Sequence, residues 1–454
     1  MSLLPSVARS SAAPRGACLR LIVVRSYATE SVPSSSSSSP SSSDLPPPGL
    51  MPGPNAAKPR LYPRPRPAVA HRHPTLPKLP PSFGKNQLLP VSNSTRALLE
   101  SIVAGFEAPI RYAFAYGSGV FEQDGYAPAP SQSTGPTTTT AVAQQGPDAP
   151  MLDFMFAVTH SSHFHSINMQ QHPGHYPLHA RMLGSSYVSQ VQDIGPGVWF
   201  NAYVPMNGVT IKYGVTTVDN LCSDLLNWNT LYLAGRMHKP LRIIKDDARV
   251  RLTQQVNLTS AVRAALLALP GDFSETELFE RIAGISYTGD PRMFLPVENR
   301  GKVGNIVRKQ EPQFKELYHR LVVGLPGVHW PVDSERIQQD VSPRARSAHL
   351  RKLPSHLLKG VKENYSRKAS GPELEADESA YWVRLAGDDN LPQVLHDGEN
   401  FFYVFTFCSF IFLEMSKIVR YPATIQSLKG VASVGLVKSL RYGSAKIGKW
   451  WSGS

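Results

Sequence analysis

The chain has 454 residues and a formal net charge of +13, with 41% hydrophobic residues, 40 prolines and three cysteines. This length exceeds what one hydrophobic core usually serves, so we expect two domains with accessory segments. The three widely spaced cysteines exclude a disulfide framework and a thiolate zinc site. The positive charge favours an anionic partner, which is either nucleic acid or an acidic lipid surface, and no RNA-recognition signature supports nucleic acid.

Residues 1–27 have the composition of a mitochondrial presequence. They contain arginines, serines and alanines, and the first acidic residue of the chain is Glu30. Arginines interleaved with apolar residues favour an amphipathic import helix, although a basic disordered tail is the alternative. Residues 28–90 are rich in Ser and Pro, which cannot bury enough apolar surface to offset the entropy of ordering. We expect a disordered spacer there.

The next segments read as strands with a long insertion between them. An alternating strand at 111–116 ends in a Gly-Ser-Gly turn at 117–119. The insert at 124–150 is rich in Pro, Thr and Gln without periodicity, and we expect a disordered surface loop. The chain resumes at 151–158 as a buried strand with one charge inside it, Asp153.

The pattern then changes from strands to helices, which predicts an α/β (α+β) fold. Residues 91–218 form the α/β part, and residues 219–330 are mainly helical, beginning with a helical pattern that continues through Leu233. Residues 331–415 are charged and proline-bearing, typical of a loosely structured connector. Their apolar run at 401–413 is too short to span a bilayer, which takes about 20 residues, and is either an insertion or an unspliced intron.

The C-terminal segment, residues 416–454, has the composition of a basic amphipathic helix lying on acidic lipid. A helix packed on the protein's own domain is the alternative. The apolar stripe consists of Ile425, Leu428, Ala432, Leu436 and Leu440, and the basic and aromatic residues are Lys429, Lys438, Arg441, Lys446, Lys449, Trp450 and Trp451.

A Gly-Ser turn next to a carboxylate is a candidate phosphate site. The backbone N–H groups of the turn at Gly117 and Ser118, with the Ser118 hydroxyl, can hold a triphosphate, while Asp153 on the adjacent strand can hold the magnesium ion that bridges the phosphates. Such a turn is often only a turn. A carboxylate inside an apolar strand is costly unless it is paired or metal-bound, so its alternative role is a salt bridge to a buried Lys or Arg.

Several longer motifs make the interpretation more specific. They are AYGSGVF at 115–121, MLDFMFAV at 151–158, LLNWNTLYLAGRMHKP at 225–240, SYTGDPRM at 286–293, EN at 298–299 with KVGNIV at 302–307, and ATIQSLKG at 423–430. In this order they closely resemble the mitochondrial translocator assembly and maintenance family, known as mitochondrial phosphatidate cytidylyltransferases. The resemblance covers most of residues 98–322 and the C-terminus.

The resemblance implies an activity and a place in the cell. The family makes CDP-diacylglycerol and diphosphate from CTP and phosphatidate with Mg2+, for cardiolipin synthesis, as a peripheral protein on the matrix side of the mitochondrial inner membrane. It also implies a polymerase-beta-type nucleotidyltransferase domain at 91–218, a winged-helix-like domain at 219–330 and a membrane-binding amphipathic tail at 416–454. Its partners would be CTP, phosphatidate and acidic inner-membrane lipid, without nucleic acid.

The resemblance also implies roles for individual residues. Gly117 and Ser118 would grip the CTP phosphates, and Asp153 would ligate magnesium. Lys212 and Tyr213 would line the nucleotide site, and Arg236 and Lys239 would supply positive charge from the helical part. The catalytic group would comprise Ser118, Asp153 and Lys212. Ordinary ion pairing is the alternative role for Lys212, Arg236 and Lys239.

One departure from the wider superfamily concerns the metal site. A second carboxylate usually stands two residues after the first, but position 155 is Met. Asp193 or Asp219 would have to supply it. The phosphate monoester of phosphatidate has a second pKa near about 6, so the nucleophile is already ionised and no strong general base is needed.

Two other functions stay open on the sequence. One is a non-enzymatic factor that maintains the mitochondrial protein-import translocase, as the family's name suggests. The other is a nucleotidyltransferase that acts on RNA. The charge inside strand 151–158 favours an enzyme, and the amphipathic tail and the missing second carboxylate argue against RNA.

Overall fold

The computed structural model describes residues 80, 82–117, 119–120, 151–291, 301–367, 378–391 and 414–434. All of them belong to the unit of the chain that spans residues 60–454. Five predictions concern residues outside this description: the presequence at 1–27, Ser118, the insert at 124–150, the apolar run at 401–413 and the tail beyond Val434.

The described part of the chain contains twelve α-helices and eight β-strands. The strands are β1 (Tyr112–Tyr116), β2 (Leu152–Val158), β3 (Trp199–Met206), β4 (Val209–Thr217), β5 (Arg242–Lys245), β6 (Asp272–Ser274), β7 (Val328–His329) and β8 (Arg336–Gln339). The helices are α1 (Asn93–Ala104), α2 (Ser161–Gln171), α3 (Leu178–Asp193), α4 (Val218–Asn227), α5 (Ala248–Leu266), α6 (Glu275–Gly284), α7 (Lys302–Lys309), α8 (Glu311–Val323), α9 (Pro343–Leu350), α10 (Ser355–Arg367), α11 (Glu378–Ala386) and α12 (Glu414–Val434).

A five-stranded mixed sheet carries the residues predicted to bind phosphate. Its order is β3-β4-β2-β1-β5, in which β2 and β4 run parallel and the other neighbours run antiparallel. Strand β2 is apolar on both faces because Phe154 and Phe156 alternate with Met155 and Ala157, and all four are buried. Helices α2 and α3, together with β3, form the connection that a parallel pair requires.

The two faces of this sheet pack against different parts of the molecule. The face that carries Met155 joins the large core under α4 and α5. The face that carries Phe154 and Tyr213 packs against α1 and α2. Because successive side chains of a strand point to opposite faces, Asp153 and Lys212 share the first of these two faces.

The chain after β5 folds as helices around a three-stranded antiparallel sheet of order β6-β8-β7. The elements follow in the order α5, β6, α6, α7, α8, β7, β8. The sequence Ser274-Glu275-Thr276-Glu277 predicts a helix start with capping chemistry, and α6 begins there. Ser274 Oγ accepts from the Glu277 N–H at 3.2 Å, and Glu277 Oε2 accepts from the Ser274 N–H at 2.7 Å.

The predicted loose connector is packed against the core where the structure describes it. Residues 331–391 contain β8 and helices α9, α10 and α11, and the pairing of β8 with β6 means that a boundary at 330 cuts through the small sheet. Leu350, Leu353 and Leu357 are at most 1% exposed. They lie on α9, in the following turn and on α10, so the expectation of loose structure was wrong here.

One cluster of buried side chains joins the five-stranded sheet to the helical half. It runs from Tyr112 on β1 through Leu258 on α5 and Leu357 on α10 to Val419 on α12. The predicted division at 218/219 therefore separates two topological units that share a hydrophobic core.

The predicted disordered spacer at 28–90 ends earlier than expected. Near its end, Asn86 Nδ2 donates to the carbonyl of Leu317 at 2.8 Å, and Gln87 Nε2 donates to Gln255 Oε1 at 2.7 Å. Both amide side chains are buried. Because polar side chains make these contacts, the composition of the segment could not reveal them.

Helix α12 lies against β3 and α10. Lys429, predicted to face acidic lipid, is only 8% exposed. Its Nζ donates to the carbonyl oxygens of Gln192, Ile194 and Val198 at 3.0, 2.6 and 3.1 Å. The prediction for Lys429 was wrong, and the alternative of a helix packed on the protein's own body holds for the described portion. Leu428, in contrast, is exposed.

The described helices include none with the length and hydrophobicity needed to cross a bilayer.

Candidate active site

The turn after β1 brings the backbone next to the Asp153 carboxylate. Gly117 has φ of 86°, in the left-handed region that favours glycine. A Cβ at this position would lie 3.4 Å from Asp153 Oδ2. Tyr116 pairs with Asp153 across β1 and β2, so the strand register places the carboxylate beside the turn. Ser118, predicted to hold the same phosphates, lies outside the described residues.

Lys212 stands beside Asp153 on the neighbouring strand. The parallel register of β2 and β4 pairs the two residues, and Lys212 Nζ lies 3.5 Å from Asp153 Oδ1. Burial lowers the pKa of Lys212, but the Asp153 carboxylate and Tyr116 outweigh it, so the pKa lies above its ordinary value. The side chains of Lys212 and Asp153 are 31% and 27% exposed. The salt bridge considered as the alternative role of Asp153 is therefore present. Because both side chains are partly exposed, a ligand can still reach them.

Arg236 approaches the same face from the helical half. Its guanidinium lies 5.0 Å from the ring centroid of Tyr116 and 4.5 Å from that of Tyr232, and it donates to the Tyr232 carbonyl at 3.2 Å. Burial opposes its charge, but Tyr116, Tyr232 and Asp153 together hold the pKa of Arg236 above its ordinary value. The guanidinium therefore provides a fixed positive charge near Asp153.

The loop that carries Arg236 is held by one buried carboxylate. Asp224, 2% exposed, accepts hydrogen bonds from four backbone N–H groups at 2.7 to 3.1 Å. These belong to Thr230, Leu231, Leu233 and Ala234. Because the carboxylate captures these groups, α4 ends at Asn227 rather than continuing through Leu233 as predicted.

Lys239 lies further along the same segment. Its Nζ donates to the Gly235 carbonyl at 2.8 Å and to Ser286 Oγ at 2.7 Å, and it lies 4.9 Å from the Tyr287 ring centroid. Burial and the positive charges of Arg236 and Lys302 lower the pKa of Lys239 to about 7. Asp153 is not among the groups that produce this shift.

Tyr213 does not line the face that carries Asp153. Its hydroxyl accepts from Asn168 Nδ2 and Asn201 Nδ2 at 2.8 Å and contacts His175 Nδ1 at 2.9 Å, all on the face covered by α2. The side chain is fully buried, and burial raises its pKa well above the ordinary value. Tyr213 and Lys212 therefore lie on opposite faces of the sheet, as adjacent residues on a strand do, and the structure does not bring them together as predicted.

Asp153 is the carboxylate that the described residues place beside the Gly117 turn. Asp153 Oδ1 is buried and has no hydrogen-bond partner among the described residues. In the same part of the chain no cluster of three or more His, Cys, Asp or Glu side chains converges. Magnesium is commonly held by one or two carboxylates together with substrate phosphates and water, so a single unsatisfied carboxylate fits an ion that arrives with a triphosphate.

Neither of the two aspartates considered as second ligands lies near Asp153. Asp219 follows β4 at the end where Thr217 pairs with Val158, whereas Asp153 is at the other end of β2, about 20 Å away along the strand. Asp193 precedes β3, whose first residue also pairs near that distant end. Both candidates are therefore excluded by the sheet register.

Sequence reasoning assigned no role to three aromatic residues that surround the cations. Tyr116 and Tyr232 flank Arg236, and Tyr287 lies beneath Lys239. The hydroxyl of Tyr116 is buried without a hydrogen-bond partner in the described structure. All three lie inside motifs noted above, but their immediate neighbours in sequence do not indicate that the rings carry cations.

A glycine turn, a partly exposed carboxylate and cations that lie on tyrosine rings together suit a polyanionic ligand. Comparisons with known proteins agree with this class. The chain matches the sequence profile of the family described as "Phosphatidate cytidylyltransferase, mitochondrial" over residues 99–449.

Curated relatives carry the same description. One from Danio rerio is 35% identical over 368 residues, which cover 80% of this chain and 98% of the relative. One from Saccharomyces cerevisiae is 41% identical over 245 residues, covering 53% and 59%, and one from Homo sapiens is 34% identical over 346 residues, covering 75% and 68%. The chain belongs to the mitochondrial phosphatidate cytidylyltransferase family, a family of nucleotidyltransferases.

Proposed function

We propose that this protein is a magnesium-dependent phosphatidate cytidylyltransferase that makes CDP-diacylglycerol and diphosphate from CTP and phosphatidate. The observation that carries the proposal is the open Asp153 carboxylate beside Gly117, with Lys212 at 3.5 Å and Arg236 mounted on Tyr116. Family membership supports the identity of both substrates.

The topology supports a domain assignment within this proposal. The mixed sheet of order β3-β4-β2-β1-β5, with Asp153 on a central strand, suits a polymerase-beta-type nucleotidyltransferase domain. The order α5, β6, α6, α7, α8, β7, β8, with strands arranged β6-β8-β7, suits a winged-helix-like domain. In this assignment the wing is the antiparallel pair β7 and β8, which extends to Gln339, beyond the predicted domain boundary at 330.

The reaction requires one bond to form and one to break. A non-bridging oxygen of the phosphatidate phosphate attacks the α-phosphorus of CTP, and the bond between that phosphorus and the α,β-bridging oxygen breaks. Diphosphate leaves with the electron pair of the broken bond. The acceptor monoester is already ionised near neutral pH, so no proton has to be removed before attack.

The protein's task is then to position two anions and to offset their repulsion. The Gly117 turn holds the triphosphate through backbone N–H groups, and Ser118 adds a hydroxyl. Lys212 and Arg236 place positive charge around the reacting phosphates. Asp153 would hold the magnesium ion, which when bound neutralises charge on the triphosphate and the departing diphosphate.

Two further parts of the proposal concern location. We infer that the protein works as a peripheral protein on the matrix side of the mitochondrial inner membrane, supplying cardiolipin synthesis. The presequence composition of residues 1–27 and the basic tail beyond Val434 support this.

The alternative, a non-enzymatic factor that maintains the import translocase, explains the site less well. A scaffold has no reason to keep an open carboxylate and several cations on one face of a sheet. A nucleotidyltransferase acting on RNA is also less suited, because a sugar hydroxyl is a poorer nucleophile than a phosphate and depends more on metal activation.

The deciding experiment measures CDP-diacylglycerol formation by the purified protein. We expect product from CTP and phosphatidate in detergent micelles, little or none from ATP, UTP or GTP, and loss of product when Mg2+ is chelated and recovery when it is restored. Absence of product from a folded preparation with CTP, phosphatidate and Mg2+ would refute the proposal.

A further inference from the structure

Three large apolar side chains are exposed within six residues at the start of α3. Leu178, Met182 and Leu183, here called the α3 patch, are 67%, 78% and 59% exposed. Met182 has the largest exposed fraction of all large apolar side chains in the described part of the chain. A single exposed apolar residue is ordinary, whereas a group of them marks an interaction surface.

The patch belongs to a helix that is anchored on its other side. Ala180 and Val188 of α3 are fully buried and pack with Tyr176 and Trp199 in a small core of their own. Gly184 has φ of 82°, so the helix bends directly after the patch. The exposed side chains are therefore carried on the outer side of a packed element.

The charge around the patch suits an anionic surface. Arg181 is exposed and lies beside Met182, one helical turn from Leu178. Among the described residues no carboxylate forms an ion pair with it. The sequence contains no Asp or Glu between Asp153 and Asp193, so this stretch has no acidic group that an anionic leaflet would repel.

The other end of α3 meets the helix that leads to the tail. Lys429 Nζ donates to the carbonyl of Ile194, the residue after α3, at 2.6 Å. Lys429 precedes Val434 by about 8 Å along the helix axis. Ile194 and Leu428 are themselves 52% and 64% exposed. The basic tail beyond Val434 therefore continues from the side of the molecule that carries α3.

A bilayer explains these features better than a second copy of the chain. A symmetric dimer through the patch would bring the two Arg181 side chains toward each other, with no acidic residue of the same stretch to pair with them. An interfacial surface combines large apolar side chains with a long basic one whose charge reaches the headgroups. Leu178, Met182 and Arg181 provide this combination.

We propose that the α3 patch docks the folded body on an anionic bilayer, with its three apolar side chains inserted at the headgroup boundary and Arg181 among the lipid phosphates. This contact is additional to the tail beyond Val434, and the inference rests on the proposed function for its choice of partner. Because α3 packs against β3, a second point of attachment would fix the orientation of the five-stranded sheet relative to the membrane.

A label at one residue tests insertion directly. An environment-sensitive fluorophore is attached at Met182→Cys in the full-length protein with Cys18→Ser and Cys408→Ser, since the remaining Cys222 is buried. Vesicles of phosphatidylcholine with a minority of phosphatidylglycerol should shift its emission to the blue and raise the intensity. Unchanged emission from a labelled protein that cosediments with these vesicles would overturn the proposal.

The control for the label is a position of similar exposure elsewhere. Val332 is 70% exposed and lies between β7 and β8. The same fluorophore at Val332→Cys should show no change when the vesicles are added. An equal blue shift at both positions would show that the label, and not the α3 patch, enters the bilayer.

Replacing the whole patch measures its contribution to binding. Leu178→Ser, Met182→Ser and Leu183→Ser together should weaken cosedimentation with the same vesicles at least about tenfold. The difference from wild type should persist in added salt, because apolar insertion is not screened whereas the attraction of basic residues is. The control combines Val323→Ser, Val332→Ser and Val341→Ser at three other exposed positions, and it should bind as wild type does.

Two other results would contradict membrane docking by the patch. A patch variant that binds vesicles normally but changes from dimer to monomer in analytical ultracentrifugation would identify an interface between copies of the chain. A variant that loses stability but not vesicle binding would show that another segment of the chain covers the patch. Product formation enters neither readout, so a wild-type protein without cytidylyltransferase activity would refute the proposed function separately.

Discussion

At the scale of single residues, the proposed site centres on the Asp153 carboxylate, to which we assign two roles. Asp153 contacts Lys212 at 3.5 Å in the ligand-free structure, yet its Oδ1 has no hydrogen bond among the described residues. The ion pair reduces the free-energy cost of placing a charge in an otherwise apolar strand. The second role, proposed above, is to hold a metal ion through this partly exposed carboxylate.

Asp153→Asn separates these two roles. Asparagine has nearly the same shape but no charge, so we expect the protein to fold with a melting temperature within a few degrees of wild type. CDP-diacylglycerol synthesis should fall at least about a thousandfold, because a metal ligand is lost at a highly charged transition state. Initial rates and thermal denaturation of the same preparation measure both. Near-normal turnover by a folded variant would contradict the metal assignment.

The face of the sheet on which each strand residue lies could be predicted from the sequence. The alternation of strand β4 places Lys212 and Tyr213 on opposite sides, yet the resemblance to a family assigned both to one site. Asp153 was found because a charge inside an apolar strand is conspicuous. Tyr116, Tyr232 and Tyr287 were missed because an aromatic residue inside an apolar motif gives no sign that it carries a cation on its ring.

At the scale of secondary-structure elements, the loop after α4 decides where Arg236 stands. Asp224 holds the loop through backbone N–H groups of four residues. Asn257 supports it from α5, accepting from Trp228 Nε1 at 2.7 Å and donating to the Ala234 carbonyl at 3.1 Å. These hydrogen bonds hold the irregular loop in one position.

Asp224→Asn tests that support. The amide keeps one acceptor oxygen but turns an NH2 group toward backbone donors, so we expect a loss of about 2 to 4 kcal/mol in the free energy of unfolding. Activity should fall as well, because Arg236 loses its fixed position. Asp219→Asn is the control, since Asp219 is 63% exposed and pairs with Arg249 at the surface; its effect should stay below about 1 kcal/mol.

The buried ammonium on α12 gives a second prediction at this scale. Lys429→Met removes all three donors to the carbonyls of Gln192, Ile194 and Val198. Leaving buried acceptors unpaired should lower the free energy of unfolding by about 2 to 4 kcal/mol. Lys417→Met, at an exposed position of the same helix, should have a much smaller effect. Equal melting temperatures for the two variants would show that the Lys429 contacts contribute little.

Local patterns predicted some elements correctly and could not predict others. The capping box at Ser274 and the strand at 151–158 depend on neighbours in sequence, and both are confirmed. The end of α4 depends on a carboxylate that reaches residues six to ten positions ahead. Burial of Lys429 depends on carbonyls more than 230 positions away, and helical spacing carries no information about such contacts.

At the scale of the whole molecule, the described part of α12 belongs to the folded body and the tail beyond Val434 remains the candidate for membrane attachment. That tail contains Lys438, Arg441, Lys446, Lys449, Trp450 and Trp451. Each surface lysine or arginine contributes about 1 kcal/mol of attraction to an anionic leaflet. A deletion that tests attachment must therefore leave α12 intact.

Deletion of residues 435–454 should preserve folding and CTP binding but sharply reduce activity on phosphatidate in liposomes. The proposed nucleotide site consists of residues upstream of position 435, so we expect the deletion to leave it in place. The defect should ease with phosphatidate in detergent micelles, and activity of the intact protein on liposomes should fall as added salt screens the attraction. Equal activity of the truncated protein on liposomes and micelles would show that these residues are not a membrane anchor.

The contact between Lys429 and the loop before β3 also imposes an order on biogenesis. A chain that is synthesised, or threaded through a membrane pore, with its N-terminus first presents the strands of the five-stranded sheet long before it presents α12. Until Lys429 arrives, the carbonyls of Gln192, Ile194 and Val198 lack the ammonium that satisfies them in the finished protein. The five-stranded sheet therefore acquires these contacts only after the segment that carries Lys429 has emerged, more than 200 residues after its own first strands.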